Sequence, residues 1–425
     1  MDINMKIILF WLITWTFIGC KEKTIPKLDN NQLGHNSIVI IDNKYQISKD
    51  TIKLSSISDS LFYISIRGNS IPEKLDIHKV MTTKEYIFIH GNHRFFQFNW
   101  NGDLIHEYRN AENDRVYGFD VLDQQNILFI AFPNKILIHG FDGKLIKSVP
   151  LAPDLESIGY FFAAIDTNKM VLALMNKGHN HNRLVIINMN GEVIKKFNNT
   201  ERFNSNNIPV YNASRFHRMI TRNNTDIYYH PLYNDTIYRL IDYKLFPVFV
   251  EKKIFKVPLE ERPEYTGDIN RLNKYCNDNL AFITRTMVSN RYILIEAQKA
   301  SFIKAFPTFM IYDWKIGKLY FNDLSIDFSK DKMHMGIFND WDGGIAFKTE
   351  FIDNGYMIGY YDVNRFLIFN RDGYQLKSGT NTYKNYITCS HSISKQSRYN
   401  ALKSFITKIN NDEDKLVLMF AKLKE

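Results

Sequence analysis

The sequence predicts an all-β fold of six four-stranded antiparallel sheets set side by side in a closed ring, and three observations lead there. The first is a repeated hairpin: WNGDLI begins at Trp100, FDGKLI at Phe141 and MNGEVI at Met189. Asn-Gly and Asp-Gly between apolar runs mark tight turns, because glycine accepts a positive φ without a Cβ clash. The second is the period. Each hairpin follows a further apolar run, EYIFIH (85–90), NILFIAF (126–132) or KMVLALM (169–175), so a unit of about 45 residues holds several short strands. The third is a pair of strand-like segments left over at the two ends, LFYISI (61–66) and KLVLMFAKL (415–423).

The remaining units follow in order. TDIYYHPLYNDTIYRLI (225–241) gives two strands around Tyr233, Asn234 and Asp235, followed by LFPVFV (245–250). RYILIEA (291–297) and TFMIYDWKIGKLYF (308–321) form the next unit, with Gly317 in its turn. MGIFNDWDGGIAFKT (335–349) is expected to open the last one around Asp342, Gly343 and Gly344. Two stretches read as insertions: residues 258–279 are polar and partly helical, and 399–415 place Leu402, Phe405, Ile406 and Ile409 on one helical face. The count is six units, with seven blades as the alternative. One sheet has two apolar faces and cannot shield both alone, whereas sheets packed radially bury them against each other. This is the β-propeller, and the two terminal strands are expected to share one blade and close it.

The first residues are a targeting segment rather than fold. Residues 7–19, IILFWLITWTFIG, form a thirteen-residue apolar run after Lys6, too short to span a bilayer and suited to an export signal starting at Met5. The run ends in Phe17-Ile18-Gly19-Cys20, which resembles the lipobox of bacterial lipoproteins, whose cysteine carries the lipid; the alternatives are an ordinary secretory signal with a coincidental cysteine and a short membrane anchor. The expected organisation is therefore a signal peptide over 1–19, a polar tether over 20–50 after lipidated Cys20, and one propeller domain over 51–425. The resemblance leaves the periplasmic and outer faces of the envelope both open.

Composition agrees with a folded domain: 45% hydrophobic and 14% aromatic residues are too many for disorder. The net charge of +9 is spread over scattered lysines with no recognised nucleic-acid module, so it reads as a solvated surface and not as a nucleic-acid interface. Beyond Cys20, Cys276 and Cys389 lack any Cys-x-x-Cys spacing and read as two unpaired buried thiols, with a disulfide between them, which an exported compartment permits, as the alternative.

The hairpin series, NDTIYRLIDYKLFPVFV in the fourth unit, NDWDGG in the sixth and the ending NDEDKLVLMFAKLK together resemble the six-bladed β-propeller lipoproteins of Bacteroidetes, within the TolB-like and NHL-like propeller group. The resemblance runs from about Leu54 to Lys424. It implies the fold and an envelope compartment, and no particular activity.

Candidate sites are each weighed against a structural role. Asp340 and Asp342, two apart in NDWDGG, start like a calcium loop but lack its further oxygen ligands, and a tight turn demands the same residues. The pairs His90/His93 and His179/His181 have metal-compatible spacing but no completing glutamate, so they read as structural or exposed. Tyr228, Tyr229, Tyr233 and Tyr238 suit sugar stacking and, more commonly, packing between blades. Asp50-Thr51-Ile52, Asp59-Ser60-Leu61 and Asp235-Thr236-Ile237 resemble the Bacteroidetes O-glycosylation motif, the first two near the tether where a glycan fits and the third in a hairpin. No G-x-S-x-G appears. The expectation is a lipid-anchored envelope module that binds or scaffolds an envelope protein or glycan, with no cofactor, metal or catalytic residue assigned. The alternative is a lactonase-like or lyase-like enzyme whose axial divalent metal is held by Glu, Asn and Asp from several blades. A sensor or accessory subunit of a neighbouring transport system is a third expectation.

Overall fold

The computed structural model describes residues 38–425 apart from 42–46, 49–51, 73, 109–114, 157–159, 175–179, 203–218, 232–233, 252–256, 263–265, 269, 273, 276–281, 300–307, 323–335, 338, 372–392 and 411–412. Cys20, His179, Tyr233, Cys276, Cys389 and the Asp50-Thr51 pair lie outside the described residues, as does the signal segment.

Short runs of alternating apolar residues form the strands. Three come first: β1 (Val39–Ile41), β2 (Ile47–Ser48) and β3 (Ser58–Arg67). Blade 1 holds β4 (Ile77–Thr82), β5 (Tyr86–Gly91), β6 (Arg94–Asn99) and β7 (Leu104–Tyr108). Blade 2 holds β8 (Gly118–Leu122), β9 (Ile127–Ala131), β10 (Lys135–Gly140) and β11 (Leu145–Pro150). Blade 3 holds β12 (Tyr160–Asp166), β13 (Lys169–Leu174), β14 (Asn182–Asn188) and β15 (Val193–Asn198). Blade 4 holds β16 (Ile220–Asn223), β17 (Asp226–Tyr229), β18 (Thr236–Ile241) and β19 (Lys244–Glu251). Blade 5 holds β20 (Phe282–Val288), β21 (Tyr292–Lys299), β22 (Thr308–Asp313) and β23 (Lys318–Asn322). Blade 6 joins β24 (Phe351–Asp353), β25 (Tyr356–Asp362) and β26 (Asp414–Leu423) to β3 from the other end of the chain. Within each blade the ladders are antiparallel, and each innermost strand packs on the next until β24 meets β4. The protein is a six-bladed propeller.

Period-two patterning gives every blade two buried faces. On β5, Ile87 and Ile89 enter the core shared with blade 6, while Phe88 enters the core shared with blade 2. On β17, Tyr228 turns toward blade 5 and Tyr229 toward blade 3. Six such cores result, one at each junction. The terminal segments meet as expected: β3 and β26 pair over a long ladder, with Ile64 opposite Leu418 and Phe62 stacked on Phe420 at 5.1 Å.

Three features differ from the sequence expectation. The tether region supplies structure, because Val39–Ile41 forms β1, which pairs in parallel with β19, and β2 pairs in parallel with β23. The Asp340–Gly344 turn does not open blade 6. It stands ahead of it, within an isolated bridge between Ile337 and Phe347, and the first hairpin of the blade turns at Asn354 and Gly355. Ser60 lies inside the closing ladder, opposite Lys422, and not beside a loose tether. The expected helical insertion is present between β25 and β26. The helix Ile393–Lys408 buries Leu402 and Ile406, and the helix Val363–Arg371 before it is started by the Asp362 carboxylate, which accepts the Arg365 N–H at 2.8 Å.

Gly102, Gly143 and Gly191 have φ of +86°, +84° and +82°. They also let each hairpin lean on the blade before it. A Cβ on Gly102 would sit 1.8 Å from the Ser65 carbonyl oxygen of blade 6, and one on Gly191 would sit 2.1 Å from the Pro150 carbonyl oxygen of blade 2. At Gly143 the nearest atom is a His106 side-chain carbon at 3.4 Å. Gly143→Ala should therefore cost about 1–2 kcal/mol, the left-handed strain alone. Gly102→Ala and Gly191→Ala should each cost roughly 2 kcal/mol more, because backbone must move. Urea unfolding of the three variants checks this ranking; equal losses would show that the blade-to-blade approach is not felt.

Candidate functional site

The innermost strands carry the polar residues that a mouth-and-axis site needs. In a propeller these strands face the central channel, so a charged residue on one of them either lines a site or must be neutralised by its neighbours. Here it reaches the neighbouring blade. Lys79 on β4 donates to the Phe119 carbonyl of β8 at 2.7 Å and faces Asp120 Oδ1 at 3.4 Å. Asp120, fully buried, accepts from Arg222 Nη2 at 2.7 Å and from the Ala164 N–H of β12 at 2.8 Å. The Arg222 guanidinium of β16 also donates to the Ala164 carbonyl. Arg285 on β20 pairs with Glu350 at 2.7 Å and with Glu296, and donates to the Thr349 carbonyl at 3.2 Å. Asp353 on β24 accepts from the Thr82 N–H of β4 at 2.5 Å and from its hydroxyl at 3.0 Å. At the junction of blades 4 and 5, Asn223 donates to Asn290 at 2.8 Å. Every junction of the ring thus has a polar stitch on or beside an innermost strand.

Between these groups lies an axial cavity of ≈ 120 Å³, with Lys79, Asp120, Arg222 and Asp353 on its walls beside Phe161 and Phe162. A cavity of this order takes one small ring or a few waters, and ligand pockets usually offer roughly 300–1,000 Å³.

Burial penalises the charge on Asp120, but Arg222 and Lys79 outweigh it and hold the carboxyl below its usual range. Burial lowers the Lys79 ammonium, with Asp120 pulling the other way. Asp353 lacks such a close cation. Burial pushes it up to about 6, and the two Thr82 hydrogen bonds recover part of the loss.

The histidines separate cleanly. His90 is buried on β5, with Nε2 3.0 Å from the Val116 carbonyl oxygen, and burial followed by the nearby His78 drives it down to about 3. His93 sits in the left-handed turn after it, its ring 6.0 Å from that of His78. His181 Nδ1 lies 2.8 Å from Arg202 Nη1 at the surface. Asp340 and Asp342 are spent on a latch: Asp340 accepts the Ser55 N–H at 2.8 Å, and Asp342 accepts the Tyr63 hydroxyl at 2.6 Å and the Gly344 N–H at 2.9 Å. Among the described residues no three His, Cys, Asp or Glu side chains gather as a metal would require. Thr236 in the third glycosylation-like motif is buried and donates to Asp235 at 2.8 Å.

Sequence alone does not single out the axial residues. Their signal is faint: a lone charge inside an apolar first strand, as in IHKVMT or GFDVL.

Fold and axis together define the class, a six-bladed β-propeller whose channel is crossed by its own ion pairs. No family model and no curated protein matches the chain. Among solved structures, a Bacteroides fragilis NCTC 9343 protein described as exported is similar over 92% of this chain and 100% of its own, with a TM-score of 0.64 and 12% identity. A member of the duf4221 family from Bacteroides vulgatus ATCC 8482 is similar over 64% of this chain and 86% of its own, with a TM-score of 0.41 and 10% identity. At 12% identity the first likeness speaks for the fold alone.

Two buried groups set opposing pH slopes. Asp353 binds a proton in the folded chain between about pH 4 and 6, where the unfolded chain has released it, so its stabilising contribution is lost as pH rises through about 6. His90 stays neutral where the unfolded chain is protonated, so its contribution is lost as pH falls from about 6.5 toward 3. Asp353→Asn removes the first slope. Its stability relative to wild type should rise by about 3 kcal/mol between about pH 4 and 7. Denaturant unfolding across that range measures it, and parallel profiles would refute the assignment.

Proposed function

We propose that the protein is an exported, lipid-anchored module of the bacterial cell envelope that binds or scaffolds a partner without covalent chemistry. The observation that carries this reading is the axis: its carboxylates and cations are committed to holding blades together, and the cavity left between them is small. Recognition then belongs to the loops and edges of the ring, where a protein or glycan of the envelope can be met. Export is supported by the apolar leader over 1–19 and by the similarity to the B. fragilis protein described as exported. Cleavage before Cys20 and lipidation of its thiol rest on the lipobox-like Phe17-Ile18-Gly19-Cys20, and the TolB-like or NHL-like grouping rests on the hairpin series.

A second reading has one observation in its favour. Asp353, raised to about 6 on the cavity wall, has the acidity of a general acid or base near neutral pH. A lactonase-like or lyase-like enzyme with an axial divalent ion would use such a group. Metal analysis of residues 21–425, which contain every described element, separates the two. The binding reading expects no stoichiometric divalent ion after dialysis against the metal. One bound equivalent, lost in Asp353→Asn or Asp120→Asn, would overturn it.

A further inference from the structure

The repeated isoleucine of the hairpin motif is not a core residue. In blade 1, Gln97 pairs with His106 and Phe98 with Leu104, which leaves Ile105 as an extra residue. In blade 2 the same break leaves Ile146, between Lys147 opposite Ile138 and Leu145 opposite His139. In blade 3 it leaves Ile194, between Lys195 opposite Ile186 and Val193 opposite Ile187. Each is a β-bulge on the outermost strand just past the turn, and each throws its side chain outward: Ile105, Ile146 and Ile194 are 42%, 59% and 46% exposed, with Leu145 at 56%.

Blades 4 and 5 are built differently. Their outer ladders leave the hairpin in register, Ile241 facing Lys244 and Asp313 facing Lys318, with blade 4 shifting only farther along, at Val248, and their edges receive β1 and β2 as added strands, β1 pairing only beyond that shift, at Phe249–Glu251. A bulged edge resists that kind of addition. A bulge beside the turn therefore leaves blades 1 to 3 less suited to an extended polypeptide, since the one bulged edge that takes an added strand does so only beyond its bulge. The charge on blades 2 and 3 suggests another. Exposed Lys147 follows Ile146, and exposed Lys195 and Lys196 follow Ile194, none with an ion-pair partner among the described residues. Exposed branched apolar side chains beside lysines that can reach past them match a bilayer interface, where alkyl groups enter the headgroup layer and ammonium groups meet lipid phosphates.

We propose that the outer edges of blades 2 and 3, through Leu145, Ile146 and Ile194 with Lys147, Lys195 and Lys196, form a surface that rests on an anionic phospholipid bilayer. This goes beyond the binding reading and rests on its envelope location. It orients the ring: blades 2 and 3 face the membrane, and blades 5 and 6, on the opposite side of the ring, face away.

The test is co-sedimentation of residues 21–425, without lipid on the chain, with vesicles of equal parts phosphatidylcholine and phosphatidylglycerol, against phosphatidylcholine alone. Binding is expected to the mixed vesicles and to weaken with added salt. Lys147→Glu/Lys195→Glu/Lys196→Glu should weaken it by at least about tenfold, and Ile146→Ser/Ile194→Ser severalfold. Lys244→Glu/Lys403→Glu/Lys408→Glu changes net charge equally on other faces and should leave binding nearly unchanged. All these positions are exposed, so an unaltered melting transition confirms that each variant folds. Equal loss in both lysine triples would reduce the effect to net charge and overturn the proposal. So would absence of vesicle binding, or preference for an extended peptide of alternating valine and glutamate, which would place a protein at that edge. The metal experiment decides the binding reading separately, so either idea can fail alone.

Discussion

The pairing of β3 with β26 is the constraint on which the rest depends. Each blade presents two apolar faces, and a row of six such blades would leave two of them in water. Joining the first described long strand to the last strand of the chain removes both ends at once. The junction of blades 6 and 1 then becomes a core like the others, built from Ile64, Ile66, Phe96, Phe98, Leu418 and Phe420. The chain reinforces the closure locally. Lys424 donates its N–H to the Ile57 carbonyl at 3.0 Å and its ammonium to the Ser55 carbonyl at 2.8 Å, while Asp340 takes the Ser55 N–H. The NDWDGG turn, which starts like a calcium loop, is part of this fastening.

Closure also dictates the axis. Six strands converging on one line bring their polar side chains within reach of each other, and a charge there is costly unless a neighbour answers it. Asp120 is answered by Arg222 and Lys79, Glu350 by Arg285 and Lys348. Asp353 is answered mainly by its Thr82 hydrogen bonds, with Lys79 adding a smaller attraction, and burial keeps its pKa raised. An axis used in this way holds the blades in register.

The architecture is legible because its signals are local. Asn99-Trp100-Asn101-Gly102 announces a turn whatever surrounds it, and the leftover segments at 61–66 and 415–423 could hardly do anything but close the ring. The helix around Leu402 and Ile406 shows its face in the same way. The axial site is not legible, because Lys79, Asp120, Arg222 and Asp353 are far apart in sequence and acquire meaning only when four first strands are laid in register. The bulges escape for a related reason: Ile105, Ile146 and Ile194 are placed in the sequence like strand residues, and one extra residue in the ladder turns them outward. β1 is hidden because Ile38-Val39-Ile40-Ile41 is short and sits in a polar region, and a parallel partner more than two hundred residues away leaves no trace nearby.

Native-state hydrogen exchange of the amides in β3 and β26 tests the closure most directly. If the six cores depend on it, those amides exchange only through global unfolding, with the same free energy and denaturant dependence as the central strands β9 and β13. Exchange of β3 and β26 through a cheaper local opening, with the other five blades still protected, would contradict the account.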